Sequence, residues 1–154
     1  MKKILQLIII YLLFANISCS QNKTTIANDA YEENNFKIED SLFVDKTGYF
    51  CKVYINRNDN RLKMFKLYAD QERTQLQTIY FTMDSLKKGP VKFYAPDGHL
   101  GYQGYFLNDK YDGKWLKYNE AGIIIEEYYY SNGTKVGVWK SFDDKGNLLK
   151  QVNH

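Results

Sequence analysis

Residues Gly89 to Leu148 align with themselves at a period of 24. Gly89, Gly113 and Gly137 open three units, and Gly98, Gly122 and Gly146 follow nine residues later. Val91, Trp115 and Trp139 stand at offset two, Tyr94, Tyr118 and Phe142 at offset five, and Leu100, Ile124 and Leu148 at offset eleven. Glycines and apolar residues kept in register without a gap mark a repeat architecture, in which each unit buries its apolar surface against its neighbours.

The middle unit, 113–136, shows what one repeat is. Lys114 to Tyr118 reads as a strand, and Asn119-Glu120-Ala121-Gly122 as a turn whose glycine supplies positive φ. Ile123 to Tyr130, rich in β-branched and aromatic residues, reads as the returning strand, and Ser131-Asn132-Gly133-Thr134 as a second turn. The chain as a whole is 16% aromatic, with 14 Tyr and 9 Phe, which favours strands. The expected fold is therefore all-β: an antiparallel meander of 24-residue β-hairpin repeats forming an elongated twisted sheet. Gly113 and Gly137 each precede a Trp by two, so a glycine there either leaves room for a ring or supports a bulge. Trp115 and Tyr118 are three apart, which in a regular strand puts them on opposite faces.

Upstream, a short strand is expected over 37–43. Gly48 to Ile55 alternates with period two, Asn56 to Asn60 forms a turn, and Leu62 to Tyr68 returns, making a hairpin over 48–68. A degenerate repeat over 63–88 follows. Tyr68, Leu76 and Tyr80-Phe81 echo Tyr118, Ile124 and Tyr128-Tyr129, with the turn at 70–74 expanded by two residues and no glycine to hold it. The regular units are 89–112, 113–136 and 137–154, and the β-repeat domain spans 36–154.

The N-terminus carries an address. Lys2 and Lys3 precede an apolar run from Ile4 to Phe14, too short for a membrane span of about 20 residues and of the length of a signal-peptide core. The Ile-Ser-Cys ending at Cys19 resembles the bacterial lipobox, with Asn16 where a leucine is usual. That resemblance implies a lipoprotein signal peptide over 1–18 and acylation of Cys19, the protein's anchor to a membrane. A secretory signal cut nearby, or retention of the segment, is the alternative. Residues 19–35 are polar, without apolar periodicity, and are expected to be a flexible tether. The implied location is the cell envelope, periplasmic or surface-exposed.

Gly-x-Trp-x-x-Tyr-x-x-x-Gly-x-Ile, as Gly113 to Ile124 has it, resembles the MORN-repeat variant of bacterial proteins, the YwqK-type, antitoxin-like family. The resemblance covers roughly 88–150, with Val91 standing in the first unit where the pattern has Trp. It implies hairpin repeats packed into an extended sheet, and an antitoxin-like or immunity role against an exported toxin.

The best candidate site is an aromatic strip of Trp115, Trp139, Tyr105, Tyr118 and Tyr129, which could stack a sugar ring or grip a protein; the competing reading is that these rings are simply core. Glu126 and Glu127 are neighbours on a strand, hence on opposite faces, and do not form a catalytic pair. Cys51 reads as a buried thiol. His99 and His154 lie outside any nucleophile motif, and no metal-ligand spacing or phosphate loop occurs, so no cofactor and no catalysis are expected. A formal charge of +3, two of it from Lys2 and Lys3, gives no electrostatic reason for nucleic acid. The expected function is non-enzymatic: a cell-envelope lipoprotein whose repeat sheet binds a protein or a glycan or other surface polymer. An open edge after Leu148 makes an edge-strand homodimer possible.

Overall fold

The computed structural model describes residues 30–44 and 48–154, with side chains described outside 40–47. The expected leader, Cys19 and most of the expected tether lie outside the described residues. The end of that tether is a turn at 30–31 and a short 3-10 helix, Glu33–Asn35, closed by the Asn35 N–H donating to the Glu32 carbonyl at 3.0 Å. From Phe36 onward the chain is strand after strand: β1 Phe36–Val44, β2 Phe50–Asn56, β3 Leu62–Tyr68, β4 Leu76–Met83, β5 Leu86–Lys87, β6 Gly89–Tyr94, β7 Leu100–Leu107, β8 Lys110–Tyr118, β9 Ile124–Ser131, β10 Thr134–Lys135, β11 Val138–Phe142 and β12 Leu148–Asn153.

All twelve strands belong to one antiparallel sheet in the order β1-β2-β3-β4-β6-β7-β8-β9-β11-β12, with β5 on β4 and β10 on β9. The fold is all-β, a hairpin meander, and the sheet is open rather than a closed barrel.

Two families of turns set its register. In the first, Gly98, Gly122 and Gly146 have φ of +91°, +76° and +84°. Each donates its N–H three residues back, to Ala95, Asn119 and Asp143, at 2.9 Å. The N–H groups of those same residues donate onward to the carbonyls of His99, Ile123 and Asn147. That is a type I turn closed by a left-handed glycine and a bulge, and the ladders shift register at Tyr94, Tyr118 and Phe142. The degenerate unit keeps the same closure with two more residues: the Ala69 N–H donates to the Gln75 carbonyl. Arg73 stands in for the glycine, with φ of +60° and its N–H donating to the Asp70 carbonyl at 3.2 Å, while the Asp70 carboxylate accepts from the Thr74 and Gln75 N–H groups at 2.9 and 2.6 Å.

In the second family, Asp84-Ser85, Asn108-Asp109 and Asn132-Gly133 all have positive φ at both residues, the mark of two-residue type I′ hairpins. Only the last pair contains glycine. These turns are stitched sideways to the preceding strand: the Asp109 N–H donates to the Lys87 carbonyl at 3.0 Å, and the Gly133 N–H to the Tyr111 carbonyl at 2.8 Å.

The unit-opening glycines are bulges, not strand starts throughout. Gly113, φ +67°, lies inside β8, where a register shift sets Tyr105 opposite Asp112 and Gln103 opposite Leu116. Open space lies beside Gly113, so it does not make room for a ring. That task falls to Gly104, on β7: a Cβ there would lie 2.2 Å from the Trp115 ring. Burial divides along the sheet. Phe36, Met64 and Phe81 with Cys51 and Val53 pack the first strands, and Val91, Phe106 and Trp115 form the core of the repeats.

Candidate functional site: an aromatic face with lysines above its rings

Cα partners across an antiparallel ladder share a face, and alternate residues swap faces. Val91 faces Gly104, Phe93 faces Tyr102, Trp115 faces Tyr128, and Gly113 faces Tyr130. These residues therefore stand on one side, the aromatic face, together with Phe106 and Tyr111. The rings touch in a continuous series. Trp115 lies 4.2 Å from Tyr111, 5.7 Å from Phe106 in an edge-to-face pair, and 6.3 Å from Tyr130, measured between centroids. Trp139 lies 4.6 Å from Tyr128, 5.3 Å from Tyr130 and 4.5 Å from His154. Such spacings stabilise each pair by about 0.5–1.5 kcal/mol beyond area burial.

Over Trp115 the face opens into a groove of about 260 Å³ lined by Phe93, Tyr102, Tyr111, Trp115, Tyr128 and Tyr130. Its lining contains no carboxylate. Trp115 is only 5% exposed, whereas Tyr102 and Tyr111 are 40% and 42% exposed. The Trp115 Nε1 is buried without a hydrogen-bond partner among the described residues, an unusual state for an indole N–H. Burial pushes the Tyr130 phenol above its ordinary pKa, with Tyr111 adding to the shift, so it stays a neutral hydroxyl.

Lysines stand above these rings. Lys135 Nζ lies 4.3 Å from the Trp139 centroid, Lys117 Nζ 5.7 Å from Tyr102, and Lys87 Nζ 5.3 Å from both Tyr80 and Phe106, all within cation–π range. Lys87, Tyr111 and Lys135 are successive occupants of one repeat position. Glu126 meets Lys117 on this face at 3.4 Å.

The opposite face has different chemistry. Glu127 bridges Lys114 at 2.6 Å and Lys140 at 3.9 Å, and accepts the Tyr129 hydroxyl at 2.9 Å. Burial raises the Glu127 pKa, but the Lys114 and Tyr129 hydrogen bonds and the two lysine charges outweigh it and hold the carboxyl below its usual value. Gln103 Nε2 donates to the Tyr118 hydroxyl at 2.6 Å, which ties Tyr118 to this side. Tyr105, paired with Pro90 next to Val91 and Gly104, also faces this way.

The five ring residues singled out from the sequence are thus not one strip. Trp115 and Trp139 stand on the aromatic face, and Tyr105, Tyr118 and Tyr129 on the ion-paired face. Period-two alternation separates them, as the Trp115–Tyr118 spacing implies. Trp115 is core as well as groove floor. Sequence reasoning passed over Tyr102, Tyr111, Tyr128 and Tyr130, and the signal was available: β9 residues of even number share the face of Trp115. Glu126 and Glu127 point to opposite sides, as neighbours on a strand must. No helix among the described residues is long and apolar enough to cross a membrane.

No family model matches the chain, and no curated protein matches it either. Among solved structures it is similar to TarM, with a TM-score of 0.38 and 16% identity over 80% of this chain and 27% of that one. A point mutant of S. aureus TarM, in complex with fondaparinux, alpha-GlcNAc-glycerol and UDP, gives a TM-score of 0.38 and 12% identity over 76% of this chain and 23% of that one. The chain spans about a quarter of the length of these structures, and a likeness of this degree carries no argument about fold or activity.

Proposed function

We propose that this chain is a non-enzymatic binding module of the cell envelope. It is a MORN-like repeat sheet, anchored to a membrane through an acylated Cys19, and it takes a protein or surface polymer on its aromatic face. The observation that carries this reading is the groove floored by Trp115, with half-exposed tyrosines around it. Rings of this kind supply large contact area at small conformational cost. The edge of β12 offers a second copy of the chain a place to add a strand.

The test is capture from cells by cross-linking of the tagged protein, beside a Cys19→Ala control and a Tyr102→Ala/Tyr111→Ala double variant. Both tyrosines are exposed enough that the variant should fold, which circular dichroism checks. Loss of the captured partner in the folded double variant supports the aromatic face; unchanged capture overturns it. Capture that survives Cys19→Ala removes the anchor from the reading but leaves the face in place. A captured exported toxin would give the immunity role implied by the family resemblance.

A further inference from the structure

The two faces of the sheet treat their lysines differently. On one, Lys114 and Lys140 converge on the single carboxylate of Glu127. On the other, Lys117 meets Glu126, while Lys87 and Lys135 are exposed with their ammonium groups over aromatic rings. The groove between them has hydroxyl and indole donors and no carboxylate in its lining. The aromatic face therefore offers donors next to exposed ring surface, with Lys135 over Trp139 on one side and, on the other, Lys87 in a pocket that also holds Arg61, Lys63, Asp84 and Asp109.

Its rings also run in one direction. Phe106, Trp115, Tyr130 and Trp139 come from β7, β8, β9 and β11, neighbours in the sheet, and Tyr80 from β4 on the far side of β6, so the row crosses the strands rather than following one. Equivalent positions recur every second strand, a spacing of roughly 9.6 Å from an interstrand distance of roughly 4.8 Å. A compact protein hot spot needs one central anchor ringed by contacts that exclude water. A ring-lined groove flanked by half-exposed Tyr102 and Tyr111, in a ring series that continues across the strands, instead suits an extended chain of flat-faced units.

We infer that the ligand of the aromatic face is a linear acidic glycan, lying across β6 to β11. Its pyranose rings stack on the exposed Tyr102 and Tyr111, its ring oxygens and hydroxyls meet the tyrosine hydroxyls, and its acidic groups meet Lys87 and Lys135. Stacking supplies sequence-tolerant contact, and the lysines select chains that carry negative charge. Twist of about 20–25° between adjacent strands turns each platform relative to the last, so a chain with its own helical turn follows the row better than a flat one. This identification rests on the aromatic face being the binding surface.

The experiment measures binding of the soluble 36–154 domain within the full chain freed of its leader, using polygalacturonate, hyaluronate and alginate as acidic chains. Highly methyl-esterified polygalacturonan, which has the same backbone without the charge, and dextran serve as neutral chains. The expected result is binding to at least one acidic chain, about tenfold or more weaker to the neutral counterpart, a difference of the size that lost charge-assisted hydrogen bonds give. Lys87→Gln/Lys135→Gln should erase the preference and its salt dependence, while Tyr111→Ala should weaken both kinds of chain. Equal binding to esterified and de-esterified polygalacturonan overturns the acidic assignment and leaves the binding face standing. Binding to none of the chains, alongside protein capture that depends on Tyr102 and Tyr111, overturns the glycan assignment alone. Unchanged binding in Tyr111→Ala, with the fold intact, overturns the face itself.

Discussion

A single hydrogen atom at Gly104 decides where the largest side chain of the repeats can lie. The Trp115 ring covers this glycine, and the neighbouring units place Tyr80 and Tyr128 at the equivalent position. Gly104→Ala is expected to destabilise the domain by about 1–3 kcal/mol through overpacking, read from urea denaturation. Gly113→Asn should cost much less, because it meets open space and asparagine tolerates a φ of +67°. Equal losses at the two sites would remove the steric account. The Gly104 substitution was legible in principle, since a glycine at a position where both neighbours have tyrosine signals a ring arriving from elsewhere. What the sequence hid was the β8 register shift that sets Trp115, rather than Gly113, across from Gly104. At Glu127 the folded pKa is depressed, so its contribution is present above the unfolded value of 4.5 and is lost as pH falls through the lower folded value. Glu127→Gln should therefore lower stability by about 1–2 kcal/mol at pH 7. The gap between the two proteins should hold at neutral pH and close as pH falls below 4.5 and the depressed carboxylate protonates.

Turns show the same mixture of readable and unreadable at the level of the hairpin. Gly98, Gly122 and Gly146 announce their turns because glycine is the residue that adopts positive φ at least cost. Asp84-Ser85 and Asn108-Asp109 do the same work with ordinary residues, and their identity emerges from the period, 24 and 48 residues before Asn132-Gly133. Ser85 holds φ at +69°, so Ser85→Gly should stabilise the β4–β5 hairpin by about 0.5 kcal/mol, the strain relieved less the entropy glycine brings. Asp109→Gly should not follow suit. Its carboxylate accepts the Lys87 N–H at 2.8 Å, and that stitch between hairpins would be lost. Thermal melts of the two variants check the contrast, and a gain from both would mean that the stitch contributes nothing. The expanded turn at 70–74 was visible as a count of residues, but its devices, Arg73 at positive φ in the place of glycine and the Asp70 carboxylate holding Thr74 and Gln75, were not.

An open sheet has two ends, and they are unlike. β1 carries two irregularities in its pairing with β2, at Ile38/Asp40 and Asp40/Phe43, which twist an edge away from further pairing. β12 has a single irregularity, next to its turn, is exposed throughout, and presents Leu148, Leu149 and Val152 at 53%, 69% and 40% exposure. Sedimentation should therefore show concentration-dependent self-association that Leu149→Lys abolishes; a wild-type monomer at every concentration would mean that the edge goes unused. The order of the strands followed from the meander pattern, because consecutive hairpins can only add alongside one another. Which side of the sheet carries the recognition chemistry did not, because both faces hold large rings and the difference lies in where the lysines end up.

The two tryptophans give the molecule a built-in optical reporter. Trp115 is enclosed among rings, while Trp139 lies under the Lys135 ammonium with its Nε1 donating to the Tyr129 carbonyl at 3.0 Å. Their emission should therefore separate into a blue component from a dry setting and a red, cation-quenched one. A ligand that displaces the lysine would brighten the second and leave the first, whereas unfolding would merge them. The repeat thus distinguishes occupation from collapse in a single spectrum, with no label attached.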